Sequence, residues 1–89
     1  MIVVSVRLRI VGRDGLIAEE PGLDEVIALR REERFDPGSQ VAIRSNHAPL
    51  LMQTCAGAVC WRRGDVEGAI PLGRGVLEVL DDCVTVVIT

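Results

Sequence analysis

The sequence predicts an all-β fold, a sandwich or barrel built from short antiparallel strands. Two observations support this prediction. Short runs rich in Val, Ile and Leu recur along the chain, and Gly, Pro, Asn and Asp separate them about every eight to twelve residues. With 89 residues, the chain has the length of one domain, so we expect a single domain over residues 1–89.

The composition predicts a small aliphatic core and a partner surface. Hydrophobic residues make up 48% of the chain and the mean hydropathy is +0.31, yet there is only one Trp, one Phe and no Tyr. The excess of apolar residues is typical of a protein that commits part of its surface to a partner. A net charge of −3 argues against a nucleic-acid partner. No apolar run reaches the roughly 20 residues of a membrane-spanning helix, so we expect no direct membrane insertion.

The first strand is predicted by strict alternation. Apolar residues occupy every second position on one face, at Ile2, Val4, Val6, Leu8 and Ile10. The sequence from Gly12 to Gly15 has turn chemistry, because Gly and Asp-Gly permit positive φ. A short second strand, Leu16 to Ala18, is expected to end in a turn from Glu19 to Gly22.

The next stretch, Leu23 to Phe35, has two interpretations. Local propensity favours a helix, since its early residues recur at the spacing of one helix face. The alternative is a strand from Leu23 to Leu29 with Leu23, Ile27 and Leu29 on one face. The charged run from Arg30 to Arg34 is most often a solvated loop or helix face, and less often a docking patch.

The rest of the chain predicts six strands, at residues 40–44, 50–55, 58–62, 67–72, 76–80 and 83–89. Turn sequences separate them, beginning with Asp36-Pro37-Gly38-Ser39. At the Ser45-Asn46 turn, Asn46 is the non-glycine residue that best tolerates a left-handed backbone. Asp81-Asp82 forms a tight polar turn before the last strand.

The residues offer no catalytic set. The chain has one His and no Ser in a nucleophile-elbow context. The acidic pairs Glu19-Glu20 and Asp81-Asp82 are adjacent, so their side chains point to opposite faces of an extended chain. We therefore expect no enzymatic activity from the chain on its own, and no cofactor.

The three cysteines, Cys55, Cys60 and Cys83, leave one minor alternative. Together with His47 they suggest a small zinc or thiol protein, but their spacing matches no usual zinc pattern. Three reduced, buried thiols in a cytoplasmic protein are the preferred interpretation, so we expect no bound metal. His47 itself has two interpretations, a structural residue satisfied by backbone and an interface residue presented by a rigid turn.

Five stretches resemble one protein family. The stretch Asn46-His47-Ala48-Pro49-Leu50-Leu51 resembles the Gly-His-Ala-Pro-Leu-Leu signature of the epsilon chain of F-type ATP synthases. Four others resemble its strands in the right order: Leu8 to Val11 the first strand, Leu23 to Leu29 the third, Leu72 to Val79 the Gly-Gly-Phe/Ile-Leu-Glu-Val strand pair, and Val84 to Val87 the closing Val-Thr-Val strand. The resemblance spans nearly the whole chain. It implies the N-terminal domain of that family, a flattened barrel or sandwich of about ten short strands, and favours strand over helix for Leu23 to Leu29.

The resemblance also implies a function. The chain is expected to be a non-catalytic subunit of the central stalk, or rotor, that links the gamma subunit to the c-ring and couples ion-driven rotation to ATP synthesis. It would lie peripherally on the cytoplasmic face of the bacterial inner membrane. By position, Gly12, His47 and Met52 match gamma-facing sites of the family, and Ser39 and Gln40 match the loop that approaches the c-ring.

The chain departs from the family pattern in three ways. The charged loop from Arg30 to Pro37 is longer than usual. Ser45-Asn46 replaces a Pro-Gly, and Arg74 replaces the first Gly of the Gly-Gly pair. The sequence stops at Thr89, where the family usually continues into a two-helix hairpin, so we expect neither that hairpin nor its inhibition of ATP hydrolysis and its ATP binding. A free-standing epsilon-like adaptor without a rotor role remains the main alternative, and the coupling ion is left open.

Overall fold

The computed structural model describes residues 4–29 and 40–88, and every regular element in these ranges is a β-strand. The nine strands found there are β1 (Val6–Gly12), β2 (Gly15–Leu23), β3 (Glu25–Leu29), β4 (Gln40–Ile43), β5 (Leu50–Thr54), β6 (Gly57–Arg63), β7 (Val66–Leu72), β8 (Gly75–Leu80) and β9 (Cys83–Ile88). The predicted all-β fold is confirmed, and the helix interpretation is wrong for Leu23 to Leu29. Within the two ranges, no helix is long and apolar enough to cross a membrane.

The strands form two sheets that pack as a sandwich. One sheet has five strands in the order β2-β1-β9-β8-β5, and the other has four in the order β4-β3-β6-β7. Neighbouring strands are antiparallel except β1 and β9, which run parallel. In the described residues no strand of one sheet pairs with a strand of the other, so the sheets face each other without closing into a barrel.

The core lies between the sheets and is aliphatic, as the composition predicts. Alternation along β1 buries Val6, Leu8 and Ile10 completely or almost so. The other buried apolar residues come from both sheets: Leu23, Val26, Ala28, Ile43, Met52, Val59, Leu72, Leu77, Val79, Val84 and Val86. Val4 was predicted on the same inward row but precedes β1 and is exposed, and Ile2 lies outside the described residues.

The second strand is longer than predicted. Instead of ending in a turn at Glu19, β2 continues through Pro21 and Gly22 to Leu23. This is possible because β2 is an edge strand, where a proline need not donate to a neighbouring strand. A shift in its register with β1, together with a positive φ of 67° at Gly22, accommodates the extra residues as a bulge.

The third strand buries the face opposite to the predicted one. Val26 and Ala28 point into the core, whereas Ile27 and Leu29 are only half-buried. The reason is that Leu23 belongs to β2, and the chain bends before β3 begins. The alternation therefore restarts after the bend. The charged run predicted from Arg30 onward lies outside the described residues.

Arg63, at the end of β6, ties the two sheets together. Its Nη2 donates to the Glu20 carboxylate at 2.7 Å and to the Pro21 carbonyl at 2.8 Å, both on β2 of the other sheet. Its guanidinium carbon also lies 5.0 Å from the centre of the Trp61 ring. The charged hydrogen bonds and the cation–π contact all depend on this one side chain.

We expect Arg63→Met to lower the free energy of unfolding by about 1–2 kcal/mol, because it removes the charged hydrogen bonds that this side chain makes between the sheets. Arg44→Met is the control: Arg44 pairs with Glu25 at 2.7 Å within one sheet and is more exposed, so its loss should cost under about 0.5 kcal/mol. Urea denaturation measures both. Equal losses for the two variants would show that Arg63 does not link the sheets.

Candidate interaction surface

The exposed apolar residues are concentrated on one sheet. In the described residues seven large apolar side chains are exposed, and five of them lie on the five-stranded sheet: Leu16, Ile17, Leu51, Leu80 and Val87. Val66 is on the four-stranded sheet, and Val4 precedes β1. We call the solvent-facing side of the five-stranded sheet the outer face. Its apolar character makes it the candidate interaction surface.

One row of side chains across the outer face is apolar on four of the five strands, and Gln53 of β5 ends it. Leu16, Val11, Val87 and Val76 lie side by side on β2, β1, β9 and β8, and we call them the apolar row. Leu16 is 53% exposed and Val87 45%, while Val11 and Val76 are half-buried. At a strand spacing of about 4.8 Å, the row is roughly 14 Å long. A continuous apolar strip of this kind favours contact with another protein.

The neighbouring row contains three of the charged residues of the outer face. It runs in the order Leu51, Glu78, Thr85, Arg9 and Glu19, from β5 to β2, and we call it the charged row. The Glu19 carboxylate lies 3.6 Å from the guanidinium of Arg7, on the same face. The outer face thus offers a partner an apolar strip with charges alongside it.

The turn before β5 is fixed by local hydrogen bonds. Asn46 adopts the left-handed conformation predicted for it, with φ of 62°. Its backbone N–H donates to the Asp82 carboxylate at 2.7 Å, which ties this turn to the β8–β9 turn. His47 is half-buried, and its Nδ1 lies 2.7 Å from the Ala48 carbonyl oxygen. Because a carbonyl only accepts, Nδ1 is the donor and the imidazole ring is held by its neighbour.

The structure does not bring Gly12 and His47 together. The turn that carries His47 is held by Asp82, whose backbone carbonyl accepts a hydrogen bond from the N–H of Arg7 near the start of β1, whereas Gly12 ends β1. One strand length, roughly 20 Å, therefore separates the two predicted gamma-facing residues. They lie at opposite ends of the same five-stranded sheet.

Met52, the third predicted gamma-facing residue, lies in the core. Its side chain is 7% exposed and points between the sheets, so it does not reach the outer face. On β5 the outward neighbours are Leu51 and Gln53, and Leu51 is 70% exposed. The alternation of β5 thus gives the surface position to the residue next to the predicted one.

Of the two predicted c-ring residues, the structure describes Gln40, which belongs to the other sheet. Gln40 is exposed at the start of β4, an edge strand, opposite Leu29. Ser39 lies outside the described residues. This side of the molecule also has a shallow depression of about 410 Å³ lined by residues such as Ile27, Cys60 and Ala69.

The cysteines do not form a site with His47. In the part of the chain that the structure describes, no group of three or more His, Cys, Asp or Glu side chains is arranged to hold a metal ion. Cys55 follows β5, Cys60 is on β6 and Cys83 begins β9, and none of the three forms a disulfide bond within the described residues. Cys60 is exposed and the other two are half-buried, which corrects the prediction of three buried thiols.

Sequence comparison and structural comparison give different results. No protein-family model matches the chain, and no curated protein matches its sequence. A chain from the Euglena gracilis mitochondrial ATP synthase, in an assembly of OSCP, F1 and c-ring in rotational state 1, has a similar structure with a TM-score of 0.73 and 16% identity. The similarity covers 99% of this chain and 52% of that one.

A second similar structure is a chain of the Tetrahymena thermophila mitochondrial ATP synthase, from an assembly of central stalk and c-ring. Its TM-score is 0.70 at 14% identity, over 96% of this chain and 63% of that one. The present chain thus spans less than two thirds of the length of either similar chain. It has the β-sandwich fold found in these ATP synthase chains, which is the fold that the resemblance to the epsilon chain implied.

Proposed function

We propose that this chain is a non-catalytic subunit of the central stalk of an F-type, ion-translocating ATP synthase. The observation that carries the proposal is the structural likeness, over 99% and 96% of the chain, to chains from ATP synthase assemblies that include the c-ring. In this role the chain links the gamma subunit to the c-ring, couples ion-driven rotation to ATP synthesis, and lies peripherally at the cytoplasmic face of a bacterial inner membrane.

The uneven distribution of exposed apolar residues supports a different binding partner for each of the two sheets. We propose that the outer face binds the gamma subunit through the apolar row. Gly12 and His47 would border this contact at its two ends, and Met52 would support it from behind by packing in the core. The opposite sheet, where Gln40 lies, would face the c-ring. Two packed sheets, each held together by long-range strand pairing, form a stiff body, which suits the transmission of torque.

The proposal predicts direct binding. The purified chain and the gamma subunit of the same organism, titrated by isothermal calorimetry, should form a one-to-one complex. Apolar burial on the outer face should give binding a negative heat-capacity change. A folded chain that shows no heat of binding and does not co-elute with gamma would refute the proposal and favour the free-standing adaptor.

His47→Ala should weaken gamma binding about threefold to tenfold while changing the stability of the chain by under about 0.5 kcal/mol. The imidazole ring is only half-buried, and its one hydrogen bond in the described residues is to its own neighbour, so it contributes little to folding. Calorimetric titration and thermal denaturation measure the two effects. A large fall in the melting temperature would instead assign His47 a structural role.

A further inference from the structure

Two charged side chains on the outer face form no ion pair in the described residues. Arg9 lies opposite Glu19 on β2, yet the Glu19 carboxylate is within ion-pair distance of Arg7, and Arg9 makes no ion pair among residues 4–29 and 40–88. Glu78 has Leu51 on one side and Thr85 on the other, and it also lacks an ion pair in those ranges. Both side chains are exposed beside the apolar row.

A partner that covers the apolar row must also cover these two charges. Removing an ionised side chain from water without a counter-charge costs several kcal/mol, more than a small apolar contact supplies. A purely apolar partner surface would therefore be rejected. A partner that places opposite charges against the two side chains avoids this cost and gains orientation.

We propose that Arg9 and Glu78 determine the specificity of the outer face. The partner surface that fits them has an apolar strip against the apolar row, a carboxylate opposite Arg9 and a cation opposite Glu78. One strand separates the two residues, so the partner's charges lie roughly 10 Å apart. This inference rests on the proposed function and assigns the apolar strip, the carboxylate and the cation to the gamma subunit.

The position of the two charges on one side of the apolar row also fixes the direction of the partner. A partner rotated by half a turn on the apolar row would carry its carboxylate and its cation to the opposite side of that row. Arg9 and Glu78 would then be covered without counter-charges. The pair thus selects one of the two orientations that the apolar row alone would accept.

The experiment is a calorimetric titration of the gamma subunit with four variants of the chain: Arg9→Gln, Arg9→Glu, Glu78→Arg and the control Asp65→Arg. We expect Arg9→Glu and Glu78→Arg each to weaken binding at least about tenfold, and Arg9→Gln to weaken it less, because it removes a charge without adding repulsion. Asp65→Arg makes the same change of charge as Glu78→Arg at an exposed turn between β6 and β7, and it should bind like the wild type. High salt should reduce the effect of each reversal.

The outcomes separate this inference from the proposed function. If the wild-type chain binds gamma and the reversals at residues 9 and 78 bind equally well, the inference is overturned and the proposed function stands. If the folded wild-type chain does not bind gamma, both fail. A loss seen equally with Asp65→Arg would assign the effect to net charge and would also overturn the inference. In Arg9→Glu the new carboxylate lies opposite Glu19, and repulsion between the two would work against folding. Arg9→Gln adds no negative charge, so it keeps the test valid if that variant does not fold.

Discussion

Val87→Glu is expected to weaken binding to the gamma subunit at least about a hundredfold while leaving the chain folded. Val87 is the central contact of the apolar row, between Val11 and Val76, and 45% of its surface is exposed in the isolated chain. A carboxylate at this position would have to lose its water when the partner covers the row. Calorimetric titration measures the affinity, and circular dichroism checks the fold.

Val66→Glu is the matched control for this prediction. Val66 is also a valine at the surface of a strand, with 56% of its area exposed, but it lies on β7 of the opposite sheet. We expect it to bind gamma with the affinity of the wild type. If Val66→Glu lost binding and Val87→Glu kept it, the outer face would not be the gamma-binding surface.

Gly75→Ala is expected to destabilise the chain by about 3 kcal/mol, the largest effect on stability that we predict. A Cβ at this buried position would lie 2.4 Å from the carbonyl oxygen of Val87, far inside the normal contact distance. The obstacle is the backbone of β9 in the middle of the sheet, so it cannot move aside as a side chain would. Urea denaturation monitored by circular dichroism measures the loss.

The control for Gly75 lies two residues earlier. A Cβ at Gly73 would find only the Ile88 side chain, at 3.9 Å, so Gly73→Ala should change the stability by under about 0.5 kcal/mol. A similar loss for both variants would contradict the steric explanation. The contrast also explains a departure from the epsilon pattern. Position 74 is exposed, so Arg74 can replace the first glycine of the pair there. Position 75 has no room for a Cβ, so it remains a glycine.

The strands were predictable where apolar and polar residues alternate. In β1 the alternation of Val6, Leu8 and Ile10 with Arg7 and Arg9 specifies both the strand and its buried face. Turns were predictable where the backbone needs a special conformation, as at Asp81 and Asp82, which both have positive φ in the β8–β9 turn. Local chemistry was enough in both cases.

The buried face was not predictable where both faces of a strand are apolar. The segment from Val84 to Ile88 is apolar at every position but one, so its sequence does not tell which valines face the core. Pairing with β1 and β8 decides this, by burying Val86 and exposing Val87. The apolar row was missed at the sequence level for this reason, because it is formed by register across four strands.

The prediction of site residues from the sequence has the same limit. A position in a family motif gives the order of residues along the chain, but a shift of one residue in a strand reverses the direction of the side chain. Met52 illustrates this, since it is buried while the adjacent Leu51 is exposed. Gly12 and His47 were grouped by analogy, and only the sheet topology separates them by a strand length.

The most direct test of a central-stalk role is the protein composition of the complex that contains this chain in its own cell. The tagged chain would be expressed from its own gene, membranes solubilised gently, and the purified complex quantified by mass spectrometry. We predict one copy of this chain per gamma subunit, together with the c-ring and the catalytic subunits of the synthase. Recovery of the folded chain alone, or with proteins other than synthase subunits, would contradict the account.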